Sequence, residues 1–146
     1  MKSALFLPAL LAGMLAVTGV ADDQQDASQE NAPELYFISP ADGEQVEGPV
    51  KVVFGLRGMG IAPAGVERAG TGHHHLIVDA PLPKAGASIP ADDNHVHFGG
   101  GQTETVIDLS PGEHTLQLLL GDHLHRPFDP AVVSKKITIT VLPNDK

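Results

Sequence analysis

The chain has 146 residues, 18 acidic against 9 basic side chains, a formal net charge of −9 with neutral histidines, and no cysteine. That balance argues against nucleic acid as a partner, since phosphate binding needs a concentrated basic patch. The missing thiols exclude a disulfide framework, a cysteine-linked lipid anchor and a cysteine nucleophile, and leave cations as the natural complement of an acidic surface.

Residues 1–21 read as a secretory signal: Lys2 gives a short positive start, residues 4–17 an apolar run, and Gly19-Val20-Ala21 a small-residue cleavage site. Pro8 and Gly13 interrupt the run, and it is shorter than the roughly 20 apolar residues a spanning helix needs. The expectation is therefore an exported protein, periplasmic or secreted, with no membrane span after cleavage. Residues 22–33 (DDQQDASQENAP) are polar, acidic and aperiodic, as in a flexible linker. One folded domain is expected over residues 34–142, long enough to bury its own core.

Within that domain short β-rich runs alternate with glycine and proline, and no helical stripe is present. Leu35 to Ser39 is a first strand, closed by the turn Pro40-Ala41-Asp42-Gly43. Val50, Val52, Phe54 and Leu56 alternate with Lys51, Val53, Gly55 and Arg57, which gives a second strand with one core face. Residues 58–72 are expected to be loop, His74 to Asp79 a third strand, and residues 80–94 a long connection carrying Pro81, Pro83 and Pro90. Thr105, Ile107 and Leu109 mark another strand, ended by Ser110-Pro111-Gly112. His114 shares the phase of Leu116, Leu118 and Leu120, and Ile137, Ile139 and Val141 define the last strand. The pattern predicts an all-β protein, an immunoglobulin-like antiparallel β-sandwich of about seven strands. With one tyrosine and no tryptophan, its core must be aliphatic.

All 8 histidines fall between positions 73 and 125, and six form H-x-H pairs: His73/His75, His95/His97 and His123/His125. In a strand, residues two apart share a face, so each pair can present two imidazoles to one partner. Imidazole suits copper(II), zinc and nickel. His75, His97 and His125 are the leading ligand candidates, followed by His73, His95 and His123. His114 is open between a buried ligand and a core histidine, and His74, in phase with Leu76 and Val78, is expected to face the core. Copper is favoured over zinc. Asp79, Asp92, Asp93 and Asp122 are candidates to orient an imidazole through its other nitrogen. Met59 could assist copper(I), or merely pack. Gly99-Gly100-Gly101 reads as a bend beside a site, since no Lys-Ser/Thr or helix follows to make a phosphate loop.

The segments GTGHHHLIVD, HVHFGGGQTE, LSPGEHTLQLLLGDHLHRP and VSKKITITV resemble a bacterial family of short exported proteins of unknown function, which implies a secreted β domain with a histidine-rich face. Ile38-Ser39-Pro40-Ala41-Asp42-Gly43 with residues 49–54 is similar to the opening of periplasmic copper-binding sandwiches of the copper-resistance C type. His95-Val96-His97-Phe98-Gly99 is similar to the H-V-H copper motif of copper-zinc superoxide dismutases, one residue shorter, and implies His95 and His97 as copper ligands. Three functions follow as expectations. The first is a non-enzymatic transition-metal binder, with another periplasmic protein as a further partner. The second is an envelope interaction module whose histidines only order loops. The third is copper-dependent redox catalysis of the dismutase type.

Overall fold

The structure, a computed structural model, describes residues 32–84 and 86–143. The expected signal and residues 22–31 of the expected linker lie outside them. The described chain is all β, nine strands in two sheets. They are β1 (Glu34–Ser39), β2 (Gln45–Glu47), β3 (Val50–Arg57), β4 (Gly60–Ile61), β5 (Thr71–Val78), β6 (His95–His97), β7 (Glu104–Ile107), β8 (Gly112–Gly121) and β9 (Ile137–Leu142).

The smaller sheet runs β1-β3-β7, antiparallel throughout, and the larger runs β2-β9-β8-β5-β4. β6 also pairs with β5, antiparallel, on the edge that β4 occupies at the strand's start. The expected strands are all present. β2, β4 and β6 raise the count above seven, and at two or three residues they are too short for alternation to reveal. β2 lies parallel to β9 and β4 parallel to β5, so the pairing is not wholly antiparallel. β4 also falls within the stretch expected to be loop.

Alternation decides which side chains meet. Leu35, Val52 and Phe54 of the small sheet close against Leu76, Val78, Leu116, Leu118, Leu120, Ile139 and Val141 of the large one, an aliphatic core with Phe98 as its aromatic edge. The opposite face of β5 and β8 is also covered. There Ile77 and Leu119 pack with Ile89 from the long connection, and Val133 from the chain entering β9 joins them. That outer face carries the odd-numbered residues of β5: His73, His75 and Ile77. Across the β5–β8 ladder His73 stands opposite Gly121, and His75 opposite Leu119.

Candidate metal centre

β5 divides its three histidines by parity. His74 turns inward against Phe54, with ring centroids 5.0 Å apart, and its Nδ1 lies 3.2 Å from the Gln102 carbonyl. Burial holds its pKa below the usual histidine value, so the ring is neutral and Nδ1–H donates to that oxygen. His73 and His75 turn outward, yet they are 0% and 1% exposed.

Two further imidazoles close over that pair. β6 runs antiparallel to β5 with His97 opposite His75. His125 comes from the loop after β8, a tight turn organised by Asp122, whose Oδ1 accepts the backbone N–H groups of Leu124 at 2.8 Å and Arg126 at 2.9 Å. The turn places His125 at φ 58°, left-handed backbone that a non-glycine residue rarely adopts. His97 Nε2 and His125 Nε2 are 3.0 Å apart. One nitrogen from each of His73, His97 and His125 falls within 4.8 Å of the others. On a metal with bonds of about 2.1 Å, two ligand nitrogens stand about 3.0–3.4 Å apart. The exposed His97 and half-buried His125 already meet that spacing, above a buried His73.

The electrostatics of the cluster favour lone pairs. Burial first, then the neighbouring imidazoles His125 and His97, lowers the His73 pKa to about 4, against a smaller upward pull from Asp122. Burial, then His73, His97 and His125, lowers that of His75 to about 3. His97 is lowered as well, by desolvation and by His125 beside it. At neutral pH these rings are uncharged, the form that ligates. Their polar atoms are nonetheless unmatched: both nitrogens of His73 and Nδ1 of His75 are buried without a hydrogen-bond partner. Leaving such a group unpaired costs about 1–3 kcal/mol each, and coordination to a cation supplies a partner for one nitrogen per ring.

The remaining histidines are placed elsewhere. His95 Nδ1 is 2.7 Å from Asp92 Oδ1, and its strand position faces Ile77 rather than His75. The dismutase-like motif thus brings only His97 to the cluster. His114 Nδ1 lies 2.6 Å from Asp79 Oδ2 and its Nε2 2.8 Å from the Ser110 carbonyl. An acceptor oxygen at each nitrogen and the Asp79 bond that raises its pKa favour the doubly protonated ring, and both His114 nitrogens are engaged at the opposite end of β8, away from the cluster. His123 stays outside because residues 122–126 form a turn: His123 and His125 do not share a face as they would in a strand. Met59 packs against the core. Of the candidate orienting acids, Asp79 and Asp92 serve histidines outside the cluster, and Asp122 shapes the turn that carries His125.

Two residues the histidine pattern does not mark are glycines. A Cβ at Gly121 would stand 2.7 Å from His75 Cε1 and 3.1 Å from its Nδ1, and one at Gly99 would stand 2.4 Å from His97 Cε1. Both glycines lie outside the left-handed region, so what they provide is room. The Gly99-Gly100-Gly101 run signals the second in the sequence, while Gly121 is visible only through the β5–β8 register.

A β-sandwich whose larger sheet carries a histidine group close enough to hold a metal ion is the class of protein that fold and site define. The chain belongs to the DUF4399 family, a domain of unknown function whose family model matches residues 52–142. That span holds every histidine, β3 from its third residue, and all of β4 to β9. No curated protein and no solved structure matches the chain.

Proposed function

We propose that the protein is an exported transition-metal binder, copper ahead of zinc, that holds the ion on His73, His97 and His125. One observation carries this reading: His73 is fully buried with both ring nitrogens unpartnered, beside two imidazoles whose Nε2 atoms are 3.0 Å apart. A histidine kept only for structure keeps at least one ring hydrogen bond, as His74, His95 and His114 do, although His74 Nε2 is also buried without a partner; His73 has none at either nitrogen. Copper is favoured because the donors are all imidazole nitrogen, with no thiolate, and copper(II) leads zinc in affinity for such sets. Export rests on the signal-like residues 1–21, and a periplasmic address with a folded domain over 34–142 is the arrangement they support.

Isothermal titration of the purified protein with copper(II) and zinc(II), against a weak competing chelator, tests the proposal. Binding tighter than about 10 μM, roughly 7 kcal/mol, is expected for copper, and His73→Leu should abolish it. Weaker binding would instead favour an interaction module in which the histidines only order loops, and tight binding unchanged in that variant would overturn His73 as a ligand.

A further inference from the structure

Six ring-to-ring distances describe the cluster once His75 is counted with the other three. His97–His125 is 4.5 Å, His73–His75 4.7 Å, His73–His125 4.9 Å, His73–His97 5.0 Å, His75–His97 5.1 Å and His75–His125 6.1 Å. With a metal–nitrogen bond of about 2.1 Å and a ring centroid about 1.1 Å beyond the nitrogen, four imidazoles around one ion put their centroids about 5.2 Å apart in a tetrahedron, or about 4.5 Å for neighbours and about 6.4 Å across in a square plane. The observed set spans those values, with five short separations and one long.

We infer that His75 is a fourth ligand, so that the ion sits in a four-imidazole site, and that Gly121 is bare in order to seat that ring. The inference rests on the metal-binding reading above and extends it. His75 is outside the trio whose nitrogens lie within 4.8 Å of one another, and its Nδ1–Cε1 edge lies against Gly121. An imidazole carries one nitrogen on each of its two long edges. Either flip of the ring therefore leaves one nitrogen on the edge away from Gly121. The ring is 1% exposed and its Nδ1 has no partner within hydrogen-bond distance, so only the backbone of His73 bears on that flip. The chemistry of the occupant follows from four neutral nitrogen donors: a borderline ion that accepts an all-imidazole sphere, copper(II) above all. Hard oxygen-seeking cations such as calcium and magnesium are rejected.

Electron paramagnetic resonance of the purified protein loaded with one equivalent of copper(II) is the test. The wild-type nitrogen superhyperfine pattern should report four coupled nitrogens. His75→Ala should report three and bind copper at least about tenfold more weakly; losing a supporting residue can cost as much, so the nitrogen count is what separates the two. Added free imidazole should restore the fourth nitrogen in that variant, which a merely structural role would not allow. Gly121→Ala, with His75 intact, should also fall to three. Should the variants fail to fold, the wild-type spectrum decides alone: three nitrogens overturn the four-imidazole site while leaving the trio standing. Failure of the wild type to bind copper overturns both readings.

Discussion

Replacing His73 by leucine separates the demands of folding from those of binding. The native ring is fully buried and leaves both nitrogens without partners. Each unpaired group costs about 1–3 kcal/mol, and an apolar group of similar shape removes that penalty. Leucine is close to the imidazole in volume and shares the outer face of β5 with Ile77. In metal-free buffer, then, His73→Leu should be more stable than wild type by about 1–3 kcal/mol, a rare direction for a change at a buried site. The same change removes a ligand. At a free metal concentration a hundredfold above the dissociation constant, binding stabilises the wild type by about 2.7 kcal/mol, and the variant should show none of this. Guanidinium denaturation at neutral pH, with EDTA and then with copper(II) or zinc(II), measures both quantities. A variant less stable than wild type by more than about 2 kcal/mol in EDTA, or one that keeps its metal-dependent shift, would refute the argument that these nitrogens are held unsatisfied for an ion.

Acid should weaken the metal-free fold. The folded pKa values of His73, about 4, and His75, about 3, lie below the unfolded 6.5, so the unfolded chain binds protons first as pH falls. Stability should hold above pH 6.5 and decline towards pH 3, approaching about 1.4 kcal/mol per pH unit for each ring. Denaturation midpoints across that range check it, and a flat profile would contradict it. The Asp79–His114 pair behaves oppositely. His114 is raised by its bond to Asp79, so its contribution is present below pH 6.5 and fades as pH rises through the folded value. Asp79 is lowered by its bonds to His114 and Thr115, against the upward effect of burial, so its own share is lost as pH falls through its folded value. Nitrogen-15 spectra at pH 7 should show both His114 nitrogens protonated, and Asp79→Asn should return the ring to a lower pKa. Gly55→Ala should cost about 1–3 kcal/mol, because its Cβ would fall 2.2 Å from Tyr36 Cε2, a ring that lies over the strand with Arg57 5.6 Å from its centre. Unchanged thermal unfolding would show that the ring swings away freely.

The parts of the fold written in alternation could be read directly. Val50, Val52 and Phe54, the even-numbered leucines of β8, and Ile137, Ile139 and Val141 each declare one buried face, and the structure buries those faces together. The same rule divides the His73-His74-His75 triplet, sending its middle ring to the core. It fails where the backbone is not extended or where a competing partner intervenes. His123 and His125 have strand-like spacing, but the Asp122 carboxylate folds residues 122–126 into a turn and delivers only His125. His95 and His97 do lie on a strand, and Asp92, three residues before His95, holds that ring. His114 follows the core phase of β8, but Asp79 lies in reach only because β5 and β8 are neighbours. Convergence depended on strand order and register, and these are long-range facts that local periodicity does not encode.

The ligand rings come from three stretches far apart in sequence: β5, the short edge strand β6, and the turn at residues 122–126. An ion shared among them would join those stretches as a cross-link in a chain without a single cysteine. Unlike a disulfide, such a link exists only while the folded chain holds the ion, so it acts by tying these stretches together in the native state. The long connection over residues 80–94 and the turn bearing His125 are then the segments that should become resistant to proteases on loading and be cut first after chelation.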